Sequence, residues 1–179
     1  MIIGITEGFG LVLLDVPDVV MGMLREVPAI VAAEGGLPGA VDPVAGSPAD
    51  DKECASVREM WATVVGPELV ESFRGELDVL QEDLAAAESC EPDPEEAADH
   101  PGSGFFRLSV GPDRVEAWHG ALNQARLALE ARFAFGNEQE SAARYKSWPR
   151  EKREAFGRAR VYGAIQQGLL SCLEAQFGG

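Results

Sequence analysis

Residues 117–136, AWHGALNQARLALEARFAFG, decide how the rest of the chain is read. At the 3.6-residue period Trp118, Leu122, Ala125, Leu129 and Phe133 fall on one side, which predicts an amphipathic helix. The helix is expected from about Pro112 to Phe135, with Gly136 as its C-terminal cap. His119, Asn123, Arg126 and Glu130 run along the flank of the apolar face. Leu127 points nearly opposite that face, so the spacing predicts a helix covered on more than one side. Polar groups caught at the edge of a covered helix must find partners. Two readings of the flank follow: a helix-packing polar network, or an anchor for a ligand or partner built on His119, Asn123 and Arg126. On the first reading Arg126 is expected to be largely buried and to bridge a carboxylate. Glu130 and the acids between Glu76 and Asp83 are the candidates, since a planar guanidinium can hold a carboxylate with two parallel bonds.

Working outward, a last helix is expected from near Ser147 and Pro149 towards Phe177. Its apolar side is Phe156, Val161, Ile165, Leu169, Cys172 and Leu173. Upstream, residues 52–89 read as helical with a break at Gly66–Pro67, and Leu69, Phe73, Leu77, Leu80 and Leu84 form an apolar seam. The N-terminal runs IIGIT and LVLLDV, joined by the glycines of EGFG, predict a β-hairpin. FFRLSV, residues 105–110, alternates like a third strand. A helix follows the hairpin, with Asp15 as a candidate N-cap, Pro17 in the first turn and Pro28 ending or kinking it. Residues 35–51 and 88–104 read as flexible loops, the first dense in Gly, Pro and Asp, the second acidic and poor in apolar residues. The fold class expected is mainly α: one domain over 1–179, a bundle of about four to five helices with a small N-terminal β-hairpin.

A chain of 179 residues can bury roughly 70% of its unfolded surface, so it needs neither metal nor disulfide to hold it. Three cysteines without a CxxC pair suit a reducing cytosol, and the cytoplasm is the expected location. No apolar run approaches the roughly 20 residues of a membrane span, and the apolar start lacks the basic region of a signal peptide. The net charge of −15 is uneven: residues 1–100 carry 22 acids and 4 bases, residues 101–179 carry 8 acids and 11 bases. Ten acids without a base lie between Glu76 and Asp99, and seven bases with two acids between Arg144 and Arg160. The asymmetry implies that the basic segment answers the acidic one, within a subunit or between two. Overall acidity argues against binding to nucleic acid or anionic membranes. The segment RYKSWPREKREAFGRAR does interleave bases with aromatics, but Glu151 and Glu154 can pair along it.

Catalytic constellations are missing. His100 and His119 sit in no HExxH or zinc-like spacing, and PGSGF and AGSPA miss the GxSxG elbow. Neither GxxxxGK[ST] nor GxGxxG occurs. No catalytic residue, metal or cofactor is therefore expected.

The phrase EAWHGALNQARLALEARF, with RVYGAIQQGLLSCL near the end, resembles a bacterial family of uncharacterised proteins, best known from actinobacteria and grouped as a domain of unknown function. Trp118, Leu122, Asn123, Arg126, Leu127, Ala128, Leu129 and Arg132 carry the first match, Tyr162 and Leu169 the second. Members of the family are often encoded beside an adaptor of the Clp protease, so the resemblance implies an accessory role near regulated proteolysis. The function expected is a non-catalytic protein-binding or regulatory module, with a protein partner or a homodimer. The alternative is a small-ligand binder or enzyme using the flank of His119, Asn123 and Arg126.

Overall fold

Period-two alternation in short apolar runs builds one side of the molecule. In a computed structural model that describes residues 2–5, 12–33, 51–92, 94–99, 101–136 and 144–177, strands β1 (Ile2–Ile5), β2 (Val12–Pro17), β3 (Glu88–Cys90) and β4 (Phe105–Val110) form one sheet. Its order is β1-β2-β4-β3, antiparallel throughout. The register sets Val12 opposite Val110 and Leu14 opposite Leu108, and all four are buried. On the other face Asp15 lies opposite Arg107, whose Nε and Nη2 grip both carboxylate oxygens at 2.7 and 2.5 Å. Alternation of this kind presents one face to the core and one to water. Asp15 is thus a strand residue spent on a cross-strand pair, not a helix cap.

Seven α-helices complete the described chain: α1 (Asp18–Arg25), α2 (Val27–Ala33), α3 (Asp51–Met60), α4 (Gly66–Ala85), α5 (Pro94–Asp99), α6 (Val115–Phe133) and α7 (Arg150–Phe177). The mainly helical architecture with an N-terminal hairpin and a strand at 105–110 is as the sequence predicts. Helix α1 begins one residue after β2 ends. Its Asp18 and Gly104 exchange two bonds of 3.0 Å, Asp18 N–H to Gly104 O and Gly104 N–H to Asp18 Oδ2, which ties the start of α1 to the start of β4. Pro28 falls in the first turn of α2, and the break comes before it, at Glu26.

Gly66–Pro67 does not break the next helix. A π-helical turn, Trp61–Val65, joins α3 to α4, and the Gly66 N–H reaches back five residues to Trp61 O. A Cβ on Gly66 would lie 2.9 Å from that oxygen, so glycine permits the close approach. The wide turn carries the chain past Pro67, which has no N–H to donate four residues back.

The stretch 88–104, expected as an acidic loop, contains both β3 and α5. β4 supplies the edge on which β3 pairs, with Glu88 opposite Arg107. The loop expected at 35–51 lies outside the described residues except for Asp51, where α3 starts.

Helix α6 is the hub, packing against α2, α4 and α7. Trp118, Leu122, Ala125 and Leu129 are all buried, joined by Leu80 and Leu84 of α4 and by Tyr162, Ile165 and Leu169 of α7. Burying each large side chain contributes about 1.5–3 kcal/mol. Of the seam predicted on α4 only this C-terminal part is buried, while Leu69, Phe73 and Leu77 stay half-buried. Tyr162 also fastens α7 to α1, its hydroxyl donating to Met23 O at 2.6 Å. Burial pushes that phenol well above its ordinary value. Helix α6 stops at Ala134, in the left-handed region with φ 45°, two residues before the glycine expected to cap it. Ala134 N–H closes the last turn on Glu130 O at 2.8 Å.

Candidate functional site

At 100° per residue, the side of α6 that buries Trp118, Leu122 and Leu129 leaves His119, Asn123, Arg126 and Glu130 on one flank. Helix α7 runs beside that flank without closing over it. Between the two lies an open groove of about 800 Å³. His119, Asn123, Arg126 and Glu130 all line it, so the structure brings the sequence-predicted residues together in one concavity. Leu127 and Leu170 also line it, and both are strongly exposed for leucines, at 60% and 44%. Leu127 is therefore not covered from the far side as its position predicts. It forms part of the groove wall.

Arg126 is exposed. Its partner is an amide and not a carboxylate: Nη1 donates to Gln166 Oε1 at 2.7 Å. The expected buried ion pair is absent among the described residues because the acids of α4 meet other sides of α6, while Glu130, on the Arg126 flank, turns to its own helix end. Gln124 and Arg126 are two residues apart, about 200° around the helix, so they occupy opposite flanks. Glu76 meets the Gln124 flank, accepting from Gln124 Nε2 at 2.8 Å. Asp83 Oδ2 accepts from Trp118 Nε1 at 2.7 Å and from Arg114 Nε at 3.2 Å. Glu130 Oε1 accepts from Gly136 N–H at 3.3 Å, closing the end of its own helix.

Gln166 is the residue that sequence reasoning missed. It is 3% exposed, and its amide is used at both ends, Oε1 by Arg126 and Nε2 in a 2.8 Å bond to His119 O. A signal was available: residues 162, 165, 166 and 169 share a helix face, so a glutamine stands in an otherwise apolar stripe. Gly163 lies one turn from it. A Cβ there would sit 3.6 Å from both Cζ and Nε of Arg126, so the guanidinium rests on the bare backbone of α7.

On the opposite flank of α6 the Glu76 carboxyl lies against Gly120, where any Cβ would collide with it. Burial raises the Glu76 pKa, opposed by the Gln124 hydrogen bond and reinforced by Glu116. Among the described residues Gln124 Oε1 is buried without a hydrogen-bond partner.

The interleaved bases and aromatics of 144–160 are packed on one another. Phe156 meets Phe135 and Trp148 edge-on at 5.3 and 5.4 Å between centroids. Lys152 Nζ lies 4.5 Å above the Trp148 ring and donates to Ala134 O at 3.0 Å. Phe135 and Phe156 also line the groove. Ion pairs of this segment run from Arg150 to Glu154, from Arg132 to Glu151 and from Arg158 to Glu26, while Glu82 and Asp83 of the acidic run take Arg114. Those pairs do not join the basic run to the acidic one.

Among the described residues no group of three or more His, Cys, Asp or Glu could hold a metal ion. Nor is any helix among them long and apolar enough to cross a membrane.

A family model, the Domain of unknown function DUF2017, matches residues 37–173. The chain belongs to the DUF2017 family. Every residue of the groove falls within the DUF2017 match, whereas β1, β2, α1 and α2 precede it. No curated protein and no solved structure matches the chain.

Proposed function

We propose that this DUF2017 protein is a non-catalytic binding module that takes a segment of a partner protein into the groove between α6 and α7. The observation that carries the reading is the coincidence, in one open concavity, of two exposed leucines with the polar stripe of Asn123 and Arg126. Exposed apolar groups rimmed by polar ones mark interaction sites, and a helix-lined groove suits an extended or helical segment. A cytoplasmic location and a place beside regulated proteolysis complete the proposal, the latter resting on the family resemblance alone.

The runner-up is a small-ligand binder or enzyme using His119, Asn123 and Arg126, favoured by the fact that all three line the same groove. Affinity capture with the native chain and with a Leu127→Ser/Leu170→Ser variant separates the two. Both leucines are exposed, so the double variant keeps its stability to within about 1 kcal/mol, about 0.5 for each surface substitution. A protein captured by the native chain and lost by the variant supports the module. Capture that is indifferent to the variant, with a small molecule co-purifying, overturns it.

A further inference from the structure

Surface arginines ordinarily sample many rotamers, and fixing one costs entropy when it binds. Arg126 is exposed yet held at two points. Gln166, itself buried and locked by His119 O, takes its Nη1, and Gly163 seats the flat of its guanidinium on α7. Among the described residues the bond to Gln166 is its hydrogen bond, so an edge of the planar fork faces the groove with donors to spare. A neutral amide partner leaves its charge uncompensated. The acid lining the same groove, Glu130, turns one oxygen to Gly136 N–H at 3.3 Å and makes no ion pair with Arg126 among the described residues. In a chain of net charge −15, a pre-positioned cation in a groove shared with two exposed leucines selects for an anion.

We propose that the groove recognises an amphipathic partner segment through an aspartate or glutamate side chain, the carboxylate engaging Arg126 and neighbouring aliphatic residues packing on Leu127 and Leu170. This rests on the reading of the groove as a protein-binding site and adds which segment fits it. A planar carboxylate matches the planar fork with two parallel charge-assisted bonds. The exposed leucines of the same groove give a peptide something that a free anion has no use for. Elsewhere the acidic body repels such a segment, so the same charge that weakens non-specific contact sharpens this one.

The test is selection of random twelve-residue peptides displayed on phage against the native chain, followed by affinity measurements on synthetic copies of the winners. The expected pool is enriched in Asp or Glu beside aliphatic residues. A winner should lose about tenfold or more in affinity on Arg126→Gln, equal to the loss when its own acid is changed to the amide, with little further loss when both changes are combined. Arg126→Lys should recover only part of it. Gly163→Leu, which keeps Arg126 but displaces its guanidinium, should lose as much as Arg126→Gln, and circular dichroism identifies any variant that fails to fold. Winners without an acid that bind Arg126→Gln normally, yet fail on Leu127→Ser/Leu170→Ser, overturn the carboxylate inference while leaving the groove reading intact. Winners indifferent to every groove variant, or no enrichment at all, overturn both.

Discussion

Glu76→Gln should make this protein more stable at neutral pH, although it removes a charged hydrogen-bond acceptor. The Glu76 carboxyl is half-buried against Gly120, accepts from Gln124 Nε2, and leaves Gln124 Oε1 buried with no donor among the described residues. A glutamine at 76 can keep the first bond through its oxygen and give an N–H to the stranded oxygen. A hydrogen bond gained in this way is worth about 1 kcal/mol net, and the desolvated charge is removed as well. For a chain of this size that corresponds to a rise of about 2–4 °C in Tm. The pH dependence follows from the direction of the shift. The folded carboxyl titrates above its ordinary value near 4.5, chiefly because burial opposes its charge. The folded state therefore holds this proton more tightly than the unfolded state. The contribution of Glu76 to stability is full below the unfolded value and is lost as pH rises through the higher folded value. Urea melts of native and Glu76→Gln chains at intervals from pH 4 to pH 8 give the difference directly, with the other carboxylates cancelling. The gap should favour the variant at pH 7 and shrink as Glu76 itself becomes protonated. A variant less stable at pH 7, or a gap that does not change with pH, refutes the reasoning.

Four further outcomes can be measured with the same melts. Gly120→Ala should destabilise, because its Cβ displaces the Glu76 carboxylate from Gln124; in a Glu76→Ala background the sign should reverse, to a gain of about 0.5–1 kcal/mol from the better helix former. Asp83→Ala should cost about 1–3 kcal/mol by stranding the indole N–H of fully buried Trp118, and Asp83→Asn, which keeps an acceptor oxygen, should cost clearly less. Leu129→Ala, at the centre of the apolar stripe of α6, should cost about 2–5 kcal/mol; a neutral result would mean that α6 is rotated from the orientation described. Arg126→Ala should cost only about 1 kcal/mol, the lost bond to Gln166, against the 3–5 kcal/mol expected on breaking a buried ion pair.

Local sequence dictates what near neighbours in the chain impose on one another. The spacing of Trp118, Leu122, Ala125 and Leu129 makes a helix with a buried face whatever surrounds it, and the alternation in residues 105–110 makes a strand with one wet face. The same period puts His119, Asn123, Arg126 and Glu130 on one flank, so the grouping of these four was legible before any fold was known, whereas Gln166 and the exposed leucines beside them were not. What covers each flank is a long-range matter, and here local reasoning failed in both directions. Leu127 looked covered and is open to solvent, because among the described residues no element covers that part of α6. Arg126 looked buried against an acid and is exposed beside an amide, because α4 brings its acids to the other flank and α7 brings Gln166, 40 residues away in the chain, to this one. Residues 88–90 lacked the apolar pattern of a strand and became one only because β4 offered an unpaired edge. Periodicity travels along the chain, whereas burial, hydrogen-bond partnership and the groove itself exist only between segments that the tertiary structure has brought together.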